Sequence, residues 1–264
     1  MTVDVLISCM YQKDWSIVAQ SHLNGNAVII NQCDTDGHDT YDFKGNLVQM
    51  ISTTERGLSR SRNMAILNSN ADICLISDDD EIYTDNYENI LIQAFTDYPQ
   101  ADVIFFQIGN DIGKIFSSKP FKVGYLGALK IASCQIAFRR KSVIEAGILF
   151  DVEMGAGTGH GSGEEIKFLF DCLKHGLCLQ YVPIEIAKLI PGSASSWFQG
   201  FNTRYFVNRG WATARYMGKC MATFYAIYFA VRKYPIYHKE HSMIKALYEM
   251  LKGIYCNPYK KAED

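Results

Sequence analysis

The sequence lacks a long apolar segment, an excess of positive charge and the features of an export signal. Its uncharged run at residues 220–231 contains twelve residues, whereas a helix needs about 20 residues to cross a bilayer. The formal net charge is −2, so the chain has no general positive field that would hold nucleic acid. The N-terminal segment opens directly into strand-like sequence, without the basic start and long apolar core of a signal peptide. We therefore expect a cytoplasmic protein that does not bind nucleic acid.

Paired cysteines, internal repeats and low-complexity tracts are also missing. The eight cysteines form no Cys-x-x-Cys pair, the spacing that is typical of zinc sites and redox motifs. Because several of them lie inside apolar runs, we interpret them as reduced, buried side chains rather than as a disulfide or zinc framework. The 264 residues, 48% of them apolar, are enough for one large domain, with or without a substantial C-terminal extension.

Apolar strand-like runs alternate with helix-like segments over most of the chain. This alternation predicts an α/β fold, with a mostly parallel sheet that is flanked by helices on both faces. Residues 35–45 are rich in Asp, Gly and Thr and predict a loop. The predicted strands cover residues 3–8, 27–34, 47–51, 73–76, 101–108, 131–138 and 177–182, and the predicted helices lie around residues 15–19, 57–67, 86–98, from 141 onward and at 164–173.

An apolar strand that ends at three consecutive carboxylates, within residues 73–82, is the most informative stretch of the sequence. Asp78 and Asp80 point the same way if the extended geometry continues, because side chains alternate along a strand. Ligands of open α/β sheets bind at this carboxyl edge, and two carboxylates there suit Mg²⁺ or Mn²⁺ completed by substrate phosphates. The alternative is an exposed acidic turn, which Glu81 and Asp85 would extend.

Two further groups of polar residues lie at predicted strand or helix ends. Arg56 and Arg62 precede or begin a helix, where guanidinium groups and the helix N-terminus together attract anions. A solvated basic helix start is the alternative. Asn31, Gln32 and Asp34 end the second predicted strand and could pair with a base or a ribose.

A glycine-rich loop precedes a pair of acids later in the chain. Residues 155–163 contain five glycines in nine positions, so this loop is either flexible or tightly folded around something. Glu164 and Glu165 follow at the start of a helix. A carboxylate there can act as a general base if it reaches an acceptor hydroxyl. The alternative is that acids favour the first turn of any helix.

The order of these pieces resembles glycosyltransferase family 2, whose members have the Rossmann-like GT-A fold. The similarity spans about residues 3–190, and residues 56–82 carry its most specific part. There, the pattern Arg-Gly-Leu-Ser-x-x-Arg-Asn-x-Ala-Ile is followed by an apolar strand and Asp-x-Asp. Two features differ from the family pattern. Residues 8–12 replace its Pro-x-Tyr-Asn turn, and Glu165 stands where the family usually has Asp.

The resemblance implies a role for each candidate residue. Asp78 and Asp80 would bind Mn²⁺ or Mg²⁺ and the diphosphate of a nucleotide sugar, and Asp79 between them would contact the sugar or the ribose. Asp34, with Gln32 beside it, would contact the nucleoside. The segment that packs beside the nucleotide contributes Arg56, Gly57, Ser59, Arg62 and Asn63.

The reaction that the resemblance implies is an inverting sugar transfer. Glu165, or Glu164 before it, would be the base that accepts the acceptor hydroxyl's proton. The donor would be a nucleotide sugar, with UDP-sugars favoured, and the acceptor a glycan or a lipid-linked hydroxyl in bacterial surface polysaccharide or capsule synthesis. A sugar-nucleotide nucleotidyltransferase is one alternative, but residues 8–14 lack its glycine-rich loop. A non-catalytic nucleotide-binding protein is another, although both acid motifs are intact.

The chain changes character near residue 193, which predicts a catalytic domain at residues 1–192 and a helical extension at residues 193–264. The extension interleaves aromatic and basic residues and contains the uncharged run at residues 220–231. Two interpretations carry equal weight. It could be an interfacial region that meets lipid-linked acceptors at the inner face of the plasma membrane, or it could pack on the domain or form a homodimer interface.

Overall fold

A ten-stranded sheet is the centre of the computed structural model, which describes residues 1–109, 117–160, 162–190 and 198–256. Its order is β3-β4-β2-β1-β5-β9-β7-β10-β6, and β8 pairs with β10. The strands are β1 (Val3–Met10), β2 (Asn26–Gln32), β3 (Gly37–Phe43), β4 (Asn46–Thr53), β5 (Ile73–Asp78), β6 (Glu81–Tyr83), β7 (Val103–Gly109), β8 (Phe121–Lys122), β9 (Ile136–Arg139) and β10 (Leu179–Leu189).

Helices connect and cover these strands. They are α1 (Ser16–Gln20), α2 (Leu58–Asn68), α3 (Tyr87–Asp97), α4 (Tyr125–Ala128), α5 (Arg140–Glu145), α6 (Glu164–Lys174), α7 (Thr203–Arg232), α8 (Tyr234–Tyr237) and α9 (Met243–Tyr255). The predicted α/β fold is therefore confirmed, although the sheet is mixed. Strands β4, β2, β1 and β5 form a parallel block, whereas β9 lies antiparallel between β5 and β7.

The two faces of the sheet are covered by different helices. In β1, Val5 and Ile7 belong to a buried cluster that includes residues of α1 and α3. Leu6, between them, belongs to a second cluster that includes residues of α2, α6 and α7. Because both faces are buried, the parallel strands are apolar at nearly every position, and for that reason they were recognisable in the sequence.

The predicted loop at residues 35–45 is wrong, because Gly37–Phe43 forms the edge strand β3, antiparallel to β4. Lys44 and Gly45 connect the two strands with φ values of 56° and 83°, as a two-residue type I′ hairpin turn requires. Nearly every residue of β3 is exposed. An exposed edge strand lacks the buried apolar pattern on which strand prediction depends.

Two predicted strand boundaries also differ from the structure. Strand β10 continues past Pro183, with register shifts between Tyr181 and Ala187. Such an irregularity accommodates a proline, which cannot donate a ladder hydrogen bond. The strand predicted at residues 131–138 is confined to β9, because Ser133–Gln135 forms a 3₁₀ turn.

The C-terminal part consists of α7 and α9 packed against each other, with a break in α7 at Gly218, where φ is 78°. A Cβ atom on Gly210 would lie 2.0 Å from the Met250 carbonyl oxygen, so the two helices can approach closely only with glycine there. Residues 193–197 and 257–264 of the predicted extension lie outside the described residues. Among the helices that the structure describes, none has the length and hydropathy to cross a membrane.

Candidate active site

Four parallel strands, β4, β2, β1 and β5, end at the same edge of the sheet. Gln32 of β2 pairs with Met10 of β1 and with Thr53 of β4, and Ser8 of β1 pairs with Asp78 of β5. The polar ends of the strands are therefore gathered at one edge, which is where ligands bind in open α/β sheets. The fold thus brings Gln32 and Asp78 to the same side of the protein, separated by β1.

Arg62 connects the two acidic elements of the site. Its side chain is 1% exposed, and it donates hydrogen bonds to Asp78 Oδ1 at 3.0 Å and to Glu164 Oε1 at 2.9 Å. Burial alone would lower its pKa, but Asp78 and Glu164 raise it above the usual arginine value, so the guanidinium stays charged. The Phe150 ring lies 5.5 Å from its central carbon.

A fourth acid, Glu81, binds the backbone of the turn that contains the three aspartates. Its carboxylate accepts hydrogen bonds from the Asp78 backbone N–H and the Tyr83 hydroxyl, both at 3.0 Å. Glu81 is fully buried, and burial together with the nearby Asp78 raises its pKa well above the ordinary value. From the sequence, Glu81 was expected only in an acidic turn. A usable signal was the alternation that points Glu81 and Tyr83 to the same side of β6.

Two of the three aspartates, Asp78 and Asp80, were predicted to bind a divalent cation. Among the described residues, no group of three His, Cys, Asp or Glu side chains could hold a metal ion. Mg²⁺ is usually bound by one or two carboxylates together with waters and substrate phosphates. Extended geometry ends at Asp78, and Asp79 and Asp80 form a turn, so binding of a cation by Asp78 and Asp80 stays a prediction. Burial and the neighbouring Asp78 raise the pKa of Asp79, which reflects the crowding of negative charge in this turn.

The two acids at the start of α6 differ in their environments. Glu164 is buried and forms the ion pair with Arg62, whereas Glu165 is half-buried. No cation of the described chain forms a salt bridge with Glu165. Burial and the charge of Glu164 raise the pKa of Glu165. A carboxylate with a raised pKa is the better proton acceptor, so Glu165 is suited to act as a general base.

The glycine-rich loop packs on the start of α2. Gly57 donates its N–H to Gln32 Oε1 at 2.7 Å, and the Leu58 N–H donates to the Ala156 carbonyl at 3.0 Å. A Cβ atom on Gly157 would lie only 3.2 Å from the Gly57 Cα. Gly57 itself has a φ of 120°, which side chains rarely tolerate. Glycine at both positions lets the two backbones meet. Gly161 of the loop lies outside the described residues.

Ser59 and Asn63 bind the protein's own backbone. The Ser59 hydroxyl donates to the Met154 carbonyl at 2.7 Å. The Asn63 amide donates to the Phe150 carbonyl and accepts from the Phe150 N–H, both at 2.8 Å. These bonds hold residues 150–154 against α2. Contact between these two side chains and a nucleotide stays a prediction, and their polar atoms are already used in positioning the loop.

A further group of polar side chains lies where β1, β2 and β4 end. Asp34 Oδ1 accepts hydrogen bonds from the Tyr11 hydroxyl at 3.1 Å and from Arg56 Nη2 at 3.0 Å. Arg56 is oriented by the carbonyls of Thr53 and Thr54. Tyr11 is 52% exposed. Tyr11 was not predicted as a site residue, because residues 8–12 depart from the family's Pro-x-Tyr-Asn turn.

Comparisons with known proteins agree with the fold. Residues 15–145 match the sequence model of the family described as glycosyl transferase family 2. A crystal structure of S. aureus TarS residues 1–349 in complex with UDP-GlcNAc is similar in fold, with a TM-score of 0.66, 13% identity, and coverage of 96% of this chain and 82% of that one. The same TarS fragment with UDP gives a TM-score of 0.64 at 11% identity, covering 97% and 81%. No curated protein matches the sequence.

Proposed function

This chain belongs to glycosyltransferase family 2, and on that premise we propose that it transfers a sugar, with inversion, from a nucleoside diphosphate sugar to a hydroxyl of a glycan or lipid-linked acceptor. UDP-sugars are the favoured donors, and the similar TarS fragment was crystallised with UDP-GlcNAc and with UDP. Family membership favours this reaction over nucleotidyl transfer and over a non-catalytic role.

The observation that carries the proposal is the double ion pair of Arg62. It joins Asp78, in the predicted diphosphate site, to Glu164, in the predicted base motif. These acids are far apart in sequence, yet one buried side chain touches both. A glycosyltransferase needs its leaving-group site and its base on either side of the same sugar, so this link supports assigning both motifs to one active site.

The donor would lie along the carboxyl edge of the parallel strands. Asp34 and Tyr11 are suited to the nucleoside, with Arg56 holding Asp34 in place. Asp78 and Asp80 would hold Mn²⁺ or Mg²⁺ together with the diphosphate. Such a cation would neutralise negative charge on the departing nucleoside diphosphate.

The transfer would proceed as a single displacement. The acceptor oxygen forms a bond to the anomeric carbon while that carbon's bond to the phosphate oxygen breaks, and the nucleoside diphosphate leaves with the bonding electrons. The acceptor hydroxyl's proton moves to the Glu165 carboxylate. Glu164 positions the start of α6 through Arg62 and, by its charge, raises the pKa of Glu165.

The C-terminal helices present a surface that fits the predicted membrane contact. Basic Arg232 and Lys233 follow an exposed apolar stripe on α7, a combination that suits an anionic lipid surface. We propose that the surface meets lipid-linked acceptors at the inner face of the plasma membrane, in surface polysaccharide or capsule synthesis. A homodimer contact is the alternative. Vesicle co-sedimentation measures membrane binding and sedimentation velocity measures dimer formation, so the two measurements together separate these proposals. The stripe consists of Met221, Phe224, Ile227, Tyr228 and Val231.

The proposed reaction is tested by release of nucleoside diphosphate from a panel of nucleotide sugars, with Mn²⁺ and with EDTA. We expect release from a UDP-sugar that requires the cation. Asp80→Ala should abolish cation-dependent nucleotide binding, whereas Asp85→Ala, which removes an exposed acid five positions along the chain, should not. If no sugar nucleotide is bound or turned over in a cation-dependent way, the proposal is wrong.

A further inference from the structure

A cavity of about 230 Å³ lies between the glycine-rich loop and the beginning of α7. A single water needs roughly 10–15 Å³ of such space, so the cavity accommodates a much larger group. Gly157 and Gly159 line its loop side, and Arg204, Asn208 and Arg209 line its helix side. None of these three helix residues takes part in the donor site proposed above, so the cavity is free for another part of the substrate.

The cavity is positively charged. Among the described residues, its lining contains two arginines and no aspartate or glutamate, and the nearby Glu240 carboxylate accepts a hydrogen bond from the Phe201 N–H, next to the lining residue Gly200. Arg204 is exposed and donates to the Gly159 carbonyl at 3.2 Å. Arg209 donates to the hydroxyls of Tyr205 at 3.1 Å and Tyr225 at 2.6 Å, both neutral groups. Its buried Nε has no hydrogen-bond partner in the described part of the chain. Within the described part of the chain, neither guanidinium forms a salt bridge with a carboxylate.

The cavity lies close to the acid pair. Ser162 lines it and stands two positions before Glu164. Gly163, between them, packs against α7, since a Cβ atom there would lie 3.7 Å from both Ala212 and Tyr216. Asn208 and Ala212 are four residues apart on α7, about 6 Å along the axis. A group bound in the cavity would therefore lie about one helical turn from the start of α6.

We propose that this cavity binds an oxyanion of the acceptor, a phosphate or carboxylate group, and thereby selects anionic acceptors. The planar guanidinium of arginine matches these oxyanions and forms strong, charge-assisted hydrogen bonds with them. Binding there would hold an acceptor hydroxyl within reach of Glu165. The inference rests on the proposed function, because it assigns the acceptor to the same active site. The donor's diphosphate is the other source of such an oxyanion, and the test separates the two.

The test is calorimetric titration of glycerol 3-phosphate into the full chain saturated with UDP and Mn²⁺, with glycerol as the neutral control. We expect glycerol 3-phosphate to bind and glycerol not to bind. Arg204→Gln removes an exposed cation and should weaken binding about fivefold or more. Asn208→Asp keeps the side-chain shape, adds a negative charge and should abolish binding. Lys219→Gln, which removes an exposed cation further along α7, is the matched control and should leave binding unchanged.

The outcomes are distinguishable from those of the donor experiment. The inference is overturned if glycerol 3-phosphate does not bind, or if it binds equally well to Arg204→Gln and Asn208→Asp. It is also overturned if glycerol 3-phosphate binds the chain without UDP but not the UDP-saturated chain, since the arginines would then belong to the donor diphosphate. The inference is supported if both variants lose binding of glycerol 3-phosphate while their affinity for UDP stays unchanged. If the probe binds as expected while no sugar nucleotide is turned over, the anion site stands and the proposed function fails.

Discussion

Arg62 donates a hydrogen bond of 2.9 Å to Glu164, which lies 102 residues further along the chain. Both side chains are buried, at 1% and 8% exposure, and the same guanidinium also binds Asp78. A buried ion pair offsets the cost of desolvation only while both partners are present. Arg62 is therefore a structural requirement of the site, as well as the group that fixes its two acidic motifs relative to each other.

Arg62→Met should destabilise the fold, because it keeps the volume of the side chain but leaves the Glu164 carboxylate buried without a partner. We expect a loss of about 3–5 kcal/mol in the free energy of unfolding, measured by urea denaturation. Arg60→Gln, an exposed neighbour on α2, should change it by no more than about 0.5 kcal/mol. Adding Glu164→Gln to Arg62→Met should restore part of the loss. Equal stability of Arg62→Met and wild type would contradict the role assigned to the pair.

Glu165→Gln should remove sugar transfer while sparing donor binding, because the amide cannot accept the acceptor's proton. The expected fall in kcat is about 10²–10⁴-fold, with an unchanged Kd for UDP in the presence of Mn²⁺. Glu164→Gln is the matched control, and it should retain measurable transfer because Glu164 acts through Arg62. UDP release by the wild type and by both variants shows which of the two glutamates is the base. Loss of transfer in Glu164→Gln with retention in Glu165→Gln would reverse the assignment.

The pH dependence of kcat/KM should report the environment of Glu165, since a carboxylate base accepts a proton only in its ionised form. Burial and the charge of Glu164 raise the pKa of Glu165, so kcat/KM should fall as the pH drops through this raised value. A free glutamate has a pKa of about 4.3, and the midpoint should lie above it. Glu164→Gln removes the neighbouring charge and should shift the midpoint down, whereas Asp85→Ala should leave it in place. Identical midpoints in wild type and Glu164→Gln would show that the neighbouring charge is not a cause.

The sequence pattern was informative where residues are buried or follow each other closely. Strand β5 and its terminal Asp78 were recognisable because a strand covered on both faces is apolar throughout and its polar end stands out. The exposed strand β3 was missed because it buries no apolar face. The contact of Arg62 with Glu164 was out of reach of sequence reasoning, since no local pattern encodes a pairing over 102 positions. For the same reason, the backbone bonds of Ser59 and Asn63 could not be foreseen.

Tyr11 should contribute to nucleoside binding through its ring rather than its hydroxyl. The ring is exposed beside Asp34 at the carboxyl edge, and stacking of a base on an aromatic ring contributes roughly 1–3 kcal/mol. Tyr11 has a φ of 51°, so Tyr11→Asn is the suitable ring deletion, because asparagine tolerates this conformation. We expect Tyr11→Asn to weaken UDP binding by about tenfold, and Tyr11→Phe to have little effect. Tyr41→Asn, which removes an exposed tyrosine of β3, is the control. In calorimetric titrations, equal weakening by Tyr11→Phe and Tyr11→Asn would instead assign the contribution to the hydroxyl and its bond with Asp34.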